Sequence, residues 1–140
     1  MSIFTEQEAK AILDKVIKLS KADECTATLS GSDAGNIRFA LNNVSTSGIV
    51  SDANLGVQVA FGKRVGTATI NEFDDASLER VVRRAEDLAR LAPENPEFMP
   101  AIDKQTYKPS ATFSESTAAI TPEFRAKVAA DSILPCRGHG

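Results

Sequence analysis

Apolar positions recur at two different spacings along this 140-residue chain, and the changes of spacing mark out its elements. In residues 5–20, Ala9, Ile12, Leu13 and Val16 return every three or four positions, with lysines and acids between them. That period puts them on one stripe of a helix. Thr5 and Glu8 stand three apart at its start, as in a capping box, where each side chain takes a backbone N–H of the first turn. A second stripe, formed by Leu78, Val81, Val82, Ala85, Leu88, Ala89 and Ala92, predicts a helix over "ASLERVVRRAEDLARLA". Asp74 or Asp75 caps it and Pro93 ends it. Thr121-Pro122 predicts a third helix, "EFRAKVAADSIL", with Thr as cap and Pro at the first helical position. It stops at Pro135.

Between the first two helices the period falls to two. Cys25, Ala27 and Leu29 alternate with Thr26, Thr28 and Ser30. Ile37, Phe39 and Leu41 alternate with Asn36, Arg38 and Asn42. Leu55, Val57, Val59 and Phe61 alternate with Gly56, Gln58 and Ala60. Such alternation predicts strands with one face against a core. "GSDAG", residues 31–35, reads as a turn by composition, and a short strand is expected around Val44–Val50. Short connections between successive strands favour antiparallel neighbours, since parallel ones need long crossovers. The predicted class is α+β: an antiparallel β-meander with two amphipathic helices on one face, followed by an extended arm and a C-terminal helix. The expected divisions are an α+β core over 1–92, a Pro-rich arm or linker over 93–120, and a C-terminal helix and tail over 121–140.

The stretch "VQVAFGKRVGTATINEFDDAS" contains Gly62-Lys63, which invites comparison with a phosphate-binding loop. Such a loop needs Gly, four residues, Gly-Lys and then Ser or Thr, with a helix after it. Here five residues separate Gly56 from Gly62, Arg64 follows the lysine, and the next element is a strand. Gly at the first position of a two-residue loop fits a type II′ hairpin instead. That loop pairs Phe61 with Arg64, Val59 with Gly66, Val57 with Ala68 and Leu55 with Ile70. Directly paired residues share a face, so Gly66 and Ala68 are expected beneath the helices.

Charge changes the picture by exclusion. The net charge is −3 and the pI is about 5.2, without the basic surplus of a nucleic-acid binder. No apolar run is long enough to suggest a membrane span. "MSIFTEQEAK" carries acids where a secretory signal carries positive charge, so a reducing cytoplasm is the expected compartment. Without secretion, the Asn43-Val44-Ser45 sequon carries no meaning.

The candidate chemistry is sparse. His139 is the lone histidine, and Cys136 with His139 forms C-x-x-H, half of a zinc site at most. Cys25 sits on an apolar strand face and reads as a buried structural thiol. Glu72, Asp74 and Asp75 cluster ahead of the second helix, where capping competes with cation binding. Arg80, Arg83, Arg84 and Arg90 are interspersed with Glu79, Glu86 and Asp87, the pattern of a solvated face. Arg38 has no local partner. No catalytic, cofactor-binding or metal-ligating residue is assigned.

"KADECTATLSGSDAGNIRFALNNVSTSG" and "FGKRVGTATINEFDDASLERVVRRAEDLARLAPENPEFMP" resemble the amino-terminal domain of the TldD/PmbA family, over roughly residues 5 to 130. The "NIRFA…STSG" region and the run ending in "APENPEFMP" are its most specific parts. These are zinc metallopeptidase-like proteins, once called modulators of DNA gyrase. The resemblance implies longer relatives whose histidine- and glutamate-bearing zinc motif lies later in the chain. It also implies two related subunit types that pair, and unfolded or small peptides as substrates. No family metal ligand has a matching position here, so activity of this chain alone is in doubt and zinc belongs to the complete family protein. "ILPCRGHG" departs from the family pattern; a frameshifted end, a truncated gene and a genuine short protein all account for it. The expected partner is a family subunit, in a homo- or hetero-oligomer, through the third helix and arm, where Phe124, Val128 and Ile133 lack cover. Peptide substrate is expected only in the complete protein, with neither nucleic acid nor membrane as a partner.

Overall fold

The computed structural model describes residues 3–102 and 104–138. The elements are α1 (Glu6–Leu19), β1 (Glu24–Ala40), β2 (Asn43–Phe61), β3 (Arg64–Ile70), α2 (Asp75–Leu91), the single-turn α3 (Glu115–Ala118) and α4 (Pro122–Ile133), with a 3₁₀ turn over Leu134–Gly138. The strands form one sheet in the order β1-β2-β3. The fold is α+β.

The chain divides into two compact units. One comprises residues 2–32 and 52–106; the other comprises 33–51 and the chain from Tyr107 onward. β1 and β2 each contribute to both.

The first unit holds the main core. β2 and β3 are antiparallel with Phe61 opposite Arg64, Val59 opposite Gly66, Val57 opposite Ala68 and Leu55 opposite Ile70, the register expected of a two-residue loop. Gly62 has φ +57 while Lys63 stays at negative φ, which fits a type II′ turn. On the inner face Leu55, Val57, Val59 and Ala68 meet Val16 of α1 and Leu78, Val81, Val82, Ala85 and Ala89 of α2. Burying such aliphatic side chains stabilises by about 1.5–3 kcal/mol each, enough to fix which face points inward. Gly66 is where α2 comes closest: a Cβ there would strike the backbone of Ala85 and Ala89.

Both helices start as the sequence indicates. The Glu8 N–H donates to Thr5 Oγ1 at 3.2 Å and the Thr5 N–H donates to Glu8 Oε2 at 2.8 Å. Asp74, not Asp75, caps α2, accepting the Ser77 N–H at 3.0 Å. The residues just before the two caps, Phe4 and Phe73, meet edge to face with ring centroids 5.2 Å apart. Beyond Pro93 the arm turns back alongside the sheet. The Asn95 N–H donates to the Lys63 carbonyl at 2.9 Å and the Ala101 N–H to Glu24 Oε2 at 3.0 Å. Ala60, on the outward face by parity, is consequently only 4% exposed.

Several expectations are corrected. "GSDAG" is not a turn, since β1 runs unbroken from Glu24 to Ala40. The short strand near Val44–Val50 is the first half of β2. The reversal falls at Leu41 and Asn42, both at positive φ (50° and 60°), the signature of a type I′ turn. Phe39 and Leu41 are not core residues: they are 43% and 94% exposed. β3 ends opposite Leu55, so this half of the hairpin has no third strand beside it. Leu88 is likewise 43% exposed at the edge of the α2 stripe. In the second unit, Thr121 caps α4 as expected, accepting the Phe124 N–H at 3.2 Å. Of the three residues expected to lack cover, Phe124 and Val128 are half exposed but Ile133 is buried. The arm contains one helical turn, α3, that its composition did not announce.

Candidate functional site

The Gly62-Lys63 loop does not cradle an anion. Its Gly62 N–H donates to Asp23 Oδ2 at 2.8 Å, so a carboxylate of the chain already occupies the position a phosphate oxygen would take. The Lys63 carbonyl receives Asn95. The loop is a fastening point for two neighbouring segments.

The acidic group ahead of α2 is also consumed internally. Glu72 Oε2 accepts Arg80 Nη2 at 2.6 Å and the Ser77 hydroxyl at 3.0 Å. Asp74 is the cap, and its carboxyl is held below the usual range by the hydrogen bonds it accepts from Ser77. Asp75 pairs with Lys15 of α1. Among the described residues no set of three histidine, cysteine, aspartate or glutamate side chains is placed to hold a metal ion. Among the described residues the donor sets do not fit zinc. Cys136 is an exposed thiol; His139 lies outside the described residues, and with it the C-x-x-H pair. Cys25 is half-buried, and desolvation pushes its thiol upward, away from the reactive thiolate.

The arginines of α2 are not simply a solvated face. Glu86 is 1% exposed. Its Oε1 accepts the Lys21 backbone N–H at 2.6 Å and its Oε2 accepts Arg83 Nη1 at 2.6 Å. Arg83 Nη2 donates in turn to the Leu19 carbonyl at 2.7 Å. This network closes the C-terminal end of α1 onto α2. Arg90 lies over the Phe61 ring, 4.6 Å from its centroid, a cation–π arrangement. Arg84 and Arg38 are exposed and take part in no ion pair among the described residues. Glu86 stands four residues after Val82 and three before Ala89, directly on the apolar stripe. That spacing is the signal that could have marked it as buried.

The end of the β1–β2 hairpin carries a group of exposed apolar side chains. Phe39, Leu41, Val44, Ile49 and Val50 are 43%, 94%, 49%, 65% and 56% exposed. The Ser45 hydroxyl donates to the Arg38 carbonyl at 3.2 Å and the Ser47 hydroxyl to the Asn36 carbonyl at 3.4 Å. Cross-strand side chains thus reinforce the backbone of a ribbon that carries an apolar tip.

Residues 29–89 match the family model described as PmbA/TldA metallopeptidase domain 1. The structure is similar to the crystal structure of TldE from Thermococcus kodakarensis, with a TM-score of 0.78 over 93% of this chain at 15% sequence identity. Residues 29–89 are thus similar to a first domain of the TldD/PmbA family. It spans 29% of the TldE chain it resembles. No curated protein matches the sequence. The matched stretch runs from Leu29 to Ala89, and so includes the hairpin tip, β3 and nearly all of α2. Among the described residues no helix is long and apolar enough to cross a membrane.

Proposed function

We propose that this chain is a non-catalytic amino-terminal domain of a TldD/PmbA-type metallopeptidase and that it serves subunit assembly or substrate access. In this reading the complete family protein holds the zinc and hydrolyses unfolded or small peptides, in the cytoplasm. The present residues dock onto a family subunit. The observation that supports it is the hairpin tip. Leu41 is 94% exposed and adopts a left-handed backbone at φ 50°. That conformation disfavours an L-residue by about 1–2 kcal/mol, and glycine or asparagine would relieve it. An apolar side chain kept there, beside four other exposed apolar residues, suits a contact rather than a free turn.

A second reading, a stand-alone module pairing with a full-length relative, is favoured by the completeness of the main core. Val16, Leu55, Val57, Val82, Ala85 and Ala89 are fully buried within the present residues. Sedimentation velocity at micromolar concentration tests both. A faster-sedimenting species on mixing with a full-length TldE-type protein supports docking, and self-association without it supports the homo-oligomer. A monomer unchanged by mixing would overturn the proposal.

A further inference from the structure

The unit built from residues 33–51 and the chain beyond Tyr107 contains a half-open cavity of about 480 Å³. Ile37 of β1, Ile49 of β2, Ile120 before α4, and Phe124 and Val128 of α4 form its apolar wall. A volume of roughly 300–1,000 Å³, an apolar lining and few polar groups are the usual features of a small-molecule pocket.

One cation stands in that wall. The guanidinium of Arg125 lies against Gly35, where an added Cβ would sit 2.6 Å from Cζ and 2.9 Å from Nη2. The glycine leaves the space the guanidinium occupies. Arg125 Nη1 donates to the Ile120 carbonyl at a long 3.4 Å. Its Nε is shut off from solvent and has no hydrogen-bond partner. Among the described residues Arg125 forms no ion pair: Glu123 senses its charge without pairing, and Asp33, also in the wall, is in no ion pair. A buried donor on a charged group is costly to leave without a partner, and the fork of a guanidinium matches the two oxygens of a carboxylate.

We propose that this cavity binds a small apolar monocarboxylate. The carboxylate pairs with the guanidinium of Arg125, and the hydrocarbon body lies among Ile37, Ile49 and Phe124. The negative charge of Asp33 in the same wall and the scarcity of other donors select a monoanion over a phosphate dianion. Of the exposed apolar hairpin residues the site uses only Ile49.

Titration of the whole 140-residue chain with 4-phenylbutyrate and with its uncharged amide, followed by amide NMR, is the test. The acid should saturate with shifts at Gly35, Ile49 and Phe124, and the amide should bind at least about tenfold more weakly. Arg125→Gln should weaken the acid at least about tenfold while the resonances of Leu55–Ala89 stay in place. Arg125→Lys keeps the charge without the fork and should fall between. It also serves if the glutamine variant folds poorly. Asp33→Asn should leave the acid bound at least as tightly. Equal binding of acid and amide, an acid affinity indifferent to Arg125, or no saturable binding would each overturn the proposal.

Discussion

The carboxylate of Glu86 accepts the backbone N–H of Lys21 at 2.6 Å, joining residues 65 positions apart. The other oxygen holds Arg83, so one side chain of α2 satisfies both the segment leaving α1 and a neighbouring cation. Glu86→Ala should therefore destabilise the fold by about 2–3 kcal/mol, by stranding the Lys21 N–H and weakening the anchorage of Arg83. A lower urea midpoint at unchanged denaturant slope is the expected result.

The same carboxylate predicts a pH dependence. Burial by itself raises the Glu86 pKa, but the Lys21 N–H and the charges of Arg83 and Arg90 outweigh it, leaving the group below its ordinary 4.5. A carboxyl lowered in the folded state binds fewer protons there than in the unfolded chain. Its stabilisation is complete above 4.5 and is lost as the pH falls through the folded value. As the pH falls below about 5 the wild type should lose stability more steeply than Glu86→Gln. Parallel curves would remove Glu86 from the account.

Gly66 and Gly56 should respond oppositely to alanine. At Gly66 the new methyl meets helix backbone, which cannot rotate aside, and overpacking of this kind costs about 1–3 kcal/mol. At Gly56 the nearest atom is the Thr28 carbonyl oxygen at 3.9 Å, ordinary contact. There alanine should be neutral or stabilising by about 0.5 kcal/mol, through the unfolded chain. Thermal melts of the two variants decide it.

Leu41→Asn should separate stability from association. Relief of the left-handed leucine should raise stability by about 1 kcal/mol. Binding to a full-length family subunit, read by sedimentation, should weaken. A variant that is more stable and binds equally well would take the tip out of the interface.

The two thiols should differ in rate. Cys136 is exposed and Cys25 is half-buried with its thiol pushed upward. A maleimide reagent should label one site quickly and the second only on unfolding, as read by mass spectrometry.

The parts of the fold legible in the sequence are those set by local rules. The Gly62 loop length fixed the β2–β3 register, and the caps at Thr5, Asp74 and Thr121 fixed three helix starts. The continuous β1 was hidden because "GSDAG" has turn composition, and pairing with the adjoining β2 overrides it. The turn at Leu41-Asn42 was hidden because leucine is a poor marker of positive φ. Glu86 was hidden by its charge, although its spacing placed it on the buried stripe. Arg125 could not be read at all, since its surroundings come from Gly35 and Ile120, which no sequence period connects.

The β2–β3 register carries a consequence for the order of assembly. Its pairs link residues from 3 apart, Phe61 with Arg64, to 15 apart, Leu55 with Ile70, whereas the Glu86–Lys21 bond must close a loop of 65. Closing a short loop loses less chain entropy, so near contacts form before distant ones. The hairpin and α2 are thus expected to make the folding nucleus, with α1 arriving late. Val59→Ala should chiefly slow folding and Glu86→Gln chiefly speed unfolding in stopped-flow kinetics; the reverse pattern would mean that α1 is in place at the barrier.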